Sequence, residues 1–505
     1  MTASPDYLER ILNAQVYDVA EETPLDLAAN LSARVHNRLY LKREDMQPVF
    51  SFKIRGAYNK MSRLSQAERA RGVIAASAGN HAQGVALAAR KLGCSALIVM
   101  PATTPTIKID AVRNLGAEIE LAGDSYDDAL VRALELGRAS GRVLVHAYDD
   151  PEVIAGQGTV GVEILRQHGG PIHAIFVPVG GGGLAAGIAA YVKRVRPEIR
   201  IIGVEPEDAA SMQAALAGGA PVRLGTVGLF VDGVSVRQVG AAPFALCREL
   251  LGGVVLVDTD AVCAAIKDVF VDTRTILEPA GALSIAGAKA YAREHRLVGE
   301  TLVAVASGAN LNFDRLRYVA EVAELGEQRE AILAVTIPER PGTLKAFCKR
   351  IGSRNITEFN YRYAHLQNAR VFVGLTLAEG EDRSVVVEEL RAGGFVAEDL
   401  SGDETAKAHV RHMVGGHAPQ ATDERLYRFE FPERPGALMR FLDAMSHDWN
   451  ISLFHYRNDG GQYGRVLVGI QVPTSELGEL RAFLDRVGYV WHDENANRAY
   501  RLFLG

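Results

Sequence analysis

Apolar residues fall along this chain in two rhythms. Between about Leu39 and Ser307, short β-branched runs (GVIAAS, SALIVMP, RVLVHAY, AIFVPV, IRIIGVEP, VVLVDT, TLVAVAS) alternate with helix-length segments such as AQGVALAARKLG and AAGIAAYVKRV. Buried strands that alternate with helices predict an α/β fold whose parallel sheets are covered on both faces. The length of the stretch favours two lobes with a cleft between them over a single sheet.

After ELGEQRE the units shorten and the glycine clusters stop. Residues 331–400 read strand (ILAVTIP), helix (GTLKAFCKRIG), strand (ITEFNYRY), strand (ARVFVGLTL), helix (VVVEELRAGG) and strand (FVAEDL), and 426–495 repeat that order. Each is an α+β unit of ferredoxin-like βαββαβ type. Leu344, Phe347, Cys348 and Ile351 recur 94 residues later as Leu438, Phe441, Leu442 and Met445, one buried helical face in each unit. The phrase PERPG, at Pro338 and again at Pro432, ends the first strand and starts that helix, because proline and glycine stop a strand.

The expected organisation is a two-lobed α/β domain over 1–328, a first α+β unit over 329–402, a linker over 403–424 and a second α+β unit over 425–505. The linker GDETAKAHVRHMVGGHAPQATDE is polar and turn-rich. Its His409, His412 and His417 have no soft or anionic partners that would make a metal site, so they read as solvated. No metal is expected.

Composition narrows the function. A chain of 505 residues exceeds one hydrophobic core, and its 50 glycines exceed ordinary usage of about 7%. The net charge of -6 and the lack of a lysine/arginine run argue against nucleic acid. Four scattered cysteines suit reduced thiols in a cytosol, and the first residues show no export signal, so a cytoplasmic protein is expected. The uncharged run Ala174–Val192 holds Pro178 and four successive glycines, which break it into strand, loop and helix instead of a membrane span.

Three stretches carry candidate chemistry. In SFKIRGAYNK, Lys53 lies between Phe52 and Ile54, and an apolar setting lowers an ammonium's pKa toward the nucleophilic range. In SAGNHAQG, a Ser/Gly/Asn turn opens a helix and offers free backbone N–H groups to a carboxylate. In VPVGGGGLAAG, Gly180 to Gly183 follow a strand and precede a helix, a backbone cradle for a phosphate. That third stretch also fits G-x-G-x-x-A through Gly181, Gly183 and Ala186, with Glu205 placed 24 residues on, as in a dinucleotide fingerprint. The lysine, the helix start, the phosphate loop and VASGAN (Val305 to Asn310) together favour pyridoxal phosphate over a hydride carrier.

In this order, the words KRED, PVFSFKIRGAYN, GNHAQG, VGGGGL, GVEPED, DGVSV, EPAGALS and SGANLNFDRLRYVAE make the chain resemble the fold type II pyridoxal-phosphate enzymes, the tryptophan synthase β family. Within them it is most similar to the biosynthetic threonine dehydratases, over essentially the full length. The resemblance implies that Lys53 carries the cofactor and removes the substrate's α-proton. It places Phe52 against the cofactor ring, Asn80 at its phenolic oxygen, Gly180, Gly181, Gly182, Gly183 and Leu184 at the phosphate, and Ser307 at the pyridine nitrogen. A hydroxyl there does not enforce ring protonation, which favours β-elimination over transamination. Ser77, counted with Lys53 among the catalytic residues, would surround the substrate carboxylate with Gly79, Asn80 and His81. Gly233 and Glu278 would line the cleft, and Glu205 would be an acid or base near the leaving group.

The implied reaction is the conversion of L-threonine to 2-oxobutanoate and ammonia, the first step toward isoleucine, with L-serine a poorer substrate. The tail units resemble paired ACT-like domains that bind isoleucine as inhibitor and valine as antagonist, with Tyr361 and Tyr456 as candidate effector contacts, and the resemblance suggests a homotetramer. A catabolic serine/threonine dehydratase of the same fold has little use for the doubled tail. A non-catalytic amino-acid sensor has little use for an intact Lys53 and glycine loop.

Overall fold

The computed structural model describes residues 6–326, 330–338, 346–347, 350–351, 354, 356–362, 368–378, 381–412, 423–432, 437–445, 449–457 and 463–504. The chain divides into two compact units, Met1–Phe313 and Asp314–Gly505.

Two sheets build the first unit. The larger has the order β1-β2-β10-β7-β8-β9, formed by Leu25–Leu27, Arg38–Lys42, Thr301–Val305, Ala174–Pro178, Arg200–Pro206 and Gly253–Val257. All its pairings are parallel except that of β1 with β2. The smaller, β5-β4-β3-β6, is wholly parallel and comprises Glu118–Leu121, Ala96–Met100, Val73–Ala76 and Val143–Leu144. Strands β3, β7 and β10 are buried along their length, which is why they read as unbroken apolar runs. The edge strand β5 (EIEL) is half-exposed and carries no such run, so the apolar pattern missed it. RVLVHAY contributes only two residues of strand, at the other edge of that sheet. Ala174–Val192 divides into β7, a glycine turn and the helix Gly183–Val195. Among the described residues, no helix is long and apolar enough to cross a membrane.

Strand β2 and two helices share a wholly buried charge cluster. Arg55 lies on the helix Lys53–Ser62 and grips Glu44 through Nε and Nη2, both at 2.7 Å, and Glu163 through Nη1 at 2.6 Å. Lys42 Nζ donates to Glu163 Oε2 at 2.6 Å, and all four side chains are inaccessible to solvent. The charges cancel and their hydrogen-bonding capacity is shared out, the condition under which buried ions are tolerated. The cluster ties the helix that begins at Lys53 to the larger sheet and to the helix Pro151–Gln167, the latter capped by Asp150 Oδ1 and opened by Pro151.

The second unit opens with the helix Arg315–Gly326, which groups with the tail although the sequence reading put it before the boundary at 328. Two antiparallel sheets follow. The first, β12-β13-β11-β14, comprises Ile356–Arg362, Asn368–Thr376, Glu330–Pro338 and Val396–Asp399. The second, β16-β17-β15-β18, comprises Asn450–Arg457, Tyr463–Gln471, Glu424–Pro432 and Val490–Asp493.

The duplication extends to register: Ile332 pairs with Gly374 as Leu426 pairs with Gly469. Both second strands shift register at the same place, between Ile356 and Glu358 and between Ile451 and Leu453. Tyr361 pairs with Val371 and Tyr456 with Val466, equivalent backbone positions; their side chains lie outside the description. The repeated phrase beyond Pro338 and Pro432, with Leu344, Cys348 and His417, lies outside the described residues. Phe347, Ile351 and Phe441 of the expected helical faces are buried.

A third core joins the two sheets. It unites Ile332, Phe372, Leu426 and Leu467 with Ala406 and Val410 and with Tyr500 and Phe503 of the C-terminal helix Arg498–Phe503. The segment read as a solvated linker therefore starts otherwise: Glu404–Ala408 is helical, and His409 is buried. Ala406 and Val410, four residues apart, cover apolar sheet faces that would otherwise meet water, and this draws His409 inside.

Candidate active site

Parallel strands deliver their carboxyl ends to one side of a sheet, where ligands bind. Here β10 leads into Ser307, β7 into the glycine loop, and β3 of the smaller sheet into Ser77. Lys53 enters the same cleft from the first turn of its helix. Phe50, just upstream, takes a left-handed φ of 54°, and the chain beside it is fastened by a bridge between Ser51 and Gly308 and by Phe52 N donating to Ser307 O at 3.2 Å. Backbone strain held by its surroundings in this way is typical of ligand sites.

Lys53 Nζ donates to Ala147 O at 3.0 Å and stands 5.2 Å from the centre of the Phe52 ring. Burial pushes its pKa down to about 8, against the opposing pull of the Glu278 carboxylate. The amine is thus much more available than an exposed lysine's, as the apolar flanks of the motif predicted.

Gly180 to Gly183 and Leu184 line the cleft beside it. Gly182 adopts φ 92°, the left-handed region that glycine favours, and turns the chain into the helix. A Cβ at Gly181 would lie 2.1 Å from Cγ of the Tyr148 ring, and one at Gly180 would lie 2.9 Å from Val234 Cα. The loop is glycine because an aromatic ring and a neighbouring backbone press directly on it.

Across the cleft, Asn80 Nδ2 donates to Glu278 Oε1 at 2.5 Å and Asn310 Nδ2 donates to Asn80 Oδ1 at 2.7 Å. Asn80 opens the helix Asn80–Leu92, and Glu278 precedes the helix Pro279–Glu294. Gly233 also lines the cleft, packed so closely that a Cβ there would be 2.7 Å from Ala280 Cβ. Ser307 is buried, with Oγ donating to Ala280 O at 3.2 Å. Ser77 Oγ accepts from Gly79 N at 3.2 Å and shapes the turn. His81 is buried with Nε2 against Val145 O at 2.8 Å. Burial, with Lys53 nearby, pushes its pKa down to about 3, so the ring is neutral and spends its one N–H on that carbonyl. Its side chain is therefore no cation for a carboxylate.

Glu205 does not join the cleft. It is fully buried at the end of β8 and accepts from Met212 N at 2.7 Å and Gln213 N at 2.9 Å, capping the helix Ser211–Gly218. Burial raises its pKa to about 7 despite those bonds. A carboxylate spent on a helix cap serves neither as the acid for a leaving group nor as the ribose ligand of a dinucleotide site, so the G-x-G-x-x-A match is coincidental.

The motifs left three contributors unmarked. Tyr148 seals the glycine loop, Ala147 lends its carbonyl to Lys53, and Gln157 lines the cleft from the helix Pro151–Gln167. Only Gln157 left a trace in the sequence, as a polar residue between two glycines in AGQGT.

Pyridoxal phosphate fits this set. Buried side-chain atoms without a hydrogen-bond partner include Ser51 Oγ, His81 Nδ1 and both polar atoms of Gln157, all from segments around Lys53. Orphaned polar atoms beside a glycine cradle and a deprotonatable lysine suit a polar, phosphate-bearing group. The site is that of a pyridoxal-phosphate enzyme of fold type II, and residues 16–308 match the family described as pyridoxal-phosphate dependent enzyme. Residues 321–410 and 415–504 each match the C-terminal regulatory domain of threonine dehydratase.

The chain is 59% identical to the biosynthetic L-threonine dehydratase of Burkholderia multivorans, covering 99% of this chain and 100% of that one. It is 51% identical to the Escherichia coli K12 protein of the same name, over 99% and 97% of the two chains. The processed form of threonine deaminase isoform 2 from Solanum lycopersicum superposes with a TM-score of 0.62 at 55% identity, over 63% of this chain and 88% of that one. The chain belongs to the biosynthetic threonine dehydratases.

Proposed function

We propose that this protein is an L-threonine ammonia-lyase, converting L-threonine into 2-oxobutanoate and ammonia as the first step of isoleucine biosynthesis. The observation that carries this reading is Lys53: an amine lowered to about pKa 8, in a cleft it shares with a four-glycine phosphate cradle. Bound there, pyridoxal phosphate supplies the electron sink that lets the α-proton and then the β-hydroxyl leave.

The residues do the rest. Gly180 to Leu184 would hold the phosphate with backbone N–H groups at a helix N-terminus. The turn of Ser77, Gly79, Asn80 and His81, at the start of the helix Asn80–Leu92, would receive the substrate carboxylate. Asn80, braced between Glu278 and Asn310, would meet the ring oxygen, and Phe52 would pack against the ring. Lys53 takes the α-proton. Ser307 would offer a hydroxyl and no charge to the ring nitrogen, a setting that suits β-elimination over transamination. One water leaves in elimination and one returns in hydrolysis, which balances threonine against 2-oxobutanoate and ammonia. L-Serine, short of one methyl, loses only modest pocket contact and is the weaker substrate.

The doubled tail serves as the sensor, taking isoleucine as inhibitor and valine as its antagonist, in a cytoplasmic homotetramer. The identical register and register shift of the two sheets support a pair of equivalent binding frames, with Tyr361 and Tyr456 the positions to test. Purified protein is expected to form keto acid from threonine, isoleucine is expected to repress this, and substitution of Tyr361 or Tyr456 is expected to shift the isoleucine titration. Keto-acid formation indifferent to isoleucine would refute the sensor role, and absence of keto acid would refute the lyase.

A further inference from the structure

Three helices meet behind Lys53, and glycine lets them approach backbone to backbone. A Cβ on Gly156 would lie 2.7 Å from Arg55 O on the lysine helix, and one on Gly187, behind the glycine loop, would lie 2.7 Å from Gly158 N. The helix Pro151–Gln167 is therefore wedged between the helix that carries the lysine and the one that follows the phosphate cradle. Gln157 sits between those two glycine contacts. A Cβ on Gly56, one turn beyond Lys53, would lie 2.5 Å from Gln157 Nε2.

Gln157 is 1% exposed and lines the cleft with Lys53, Gly183 and Ser307, yet neither Nε2 nor Oε1 has a hydrogen-bond partner. Leaving a buried amide unpaired is costly, whereas an apolar side chain of similar shape would carry no such cost. We propose that Gln157 is a cofactor-binding residue, its carboxamide completed by hydrogen bonds to bound pyridoxal phosphate. This rests on the cofactor reading of the same cleft.

The test compares the full-length protein stripped of cofactor with the protein reloaded with pyridoxal 5'-phosphate, for the native chain and Gln157→Leu. The stripped variant is expected to melt at or above the native midpoint, since it no longer buries an unpaired amide. Its rise in melting temperature on reloading should be smaller than the native rise, and its cofactor affinity about ten-fold or more weaker. At saturating cofactor the KM for threonine should stay near the native value. Unchanged affinity with a full rise on reloading would overturn the proposal, as would a raised KM at native cofactor affinity, which would assign the amide to substrate. If Gln157→Leu does not fold, Gln157→Met is measured in its place against the same outcomes. Failure of the native chain itself to bind pyridoxal phosphate would instead refute the cofactor reading.

Discussion

Asn80 and Glu278 meet across the cleft, Nδ2 to Oε1 at 2.5 Å, and pin the helix start that follows β3 to the helix start that precedes β10. The same Glu278 carboxylate raises the pKa of Lys53, partly offsetting the lowering by burial. Glu278 therefore both positions Asn80 and moderates the effect of burial on the Lys53 amine.

The Lys53 amine reacts only when neutral, and its pKa lies near 8 instead of 10.5. The rate at which stripped protein captures pyridoxal phosphate should rise with pH and level off above about 8. Glu278→Gln removes the anion that favours the ammonium, so the inflection should move below that of the native chain. Stopped-flow absorbance measured across pH checks both statements; an inflection near 10 would contradict the burial of Lys53. Between pH 8 and 10.5 the unfolded chain holds the proton that the folded chain has released, so the stability of the stripped protein should rise over that window.

Gly181→Ala places a methyl 2.1 Å from the Tyr148 ring. The ring or the loop must move, at a cost of about 1–3 kcal/mol, and cofactor affinity should fall with it. Adding Tyr148→Ala clears the space and should restore part of that affinity, as equilibrium binding to both variants would reveal.

Arg55→Met leaves Glu44 and Glu163 buried with one cation, Lys42, in place of two. Removing one partner from such a cluster costs about 3–5 kcal/mol, so denaturant unfolding of the first unit should shift by that order. The lysine helix loses its anchor, and the fraction of protein that retains cofactor after dialysis should drop.

Glu205→Gln separates a cap from a catalyst. The carboxylate holds Met212 N and Gln213 N and lies outside the cleft, so kcat should remain within about three-fold of the native value, whereas loss of an acid–base residue costs about 100-fold or more. Steady-state rates with threonine decide the matter.

The sequence carried much of this. Unbroken apolar runs marked β3, β7 and β10 because strands buried on both faces show no alternation. Lys53, the glycine loop and the duplicated tail were legible because each needs particular residue types at close spacing. β5 was not legible, because an edge strand need not be apolar. Glu205 was misread because a strand-end glutamate looks alike in sequence whether it faces a cleft or caps a helix.

What the chain determined by itself is local: where strands and helices form, which turns require glycine, and that one unit is repeated. What only the tertiary structure decided is which distant residues meet. Asn80 and Glu278 are 198 positions apart, and Arg55 and Glu163 are 108 apart. Gln157 has no meaning until two glycine contacts wedge its helix behind Lys53. Likewise, the apolar faces of the two tail sheets determined that 404–410, polar enough to read as a linker, folds over them and buries His409. Burial, and with it the pKa of Lys53, His81 and Glu205, belongs to the packed chain, because desolvation depends on every neighbour at once and no short stretch of sequence contains them all.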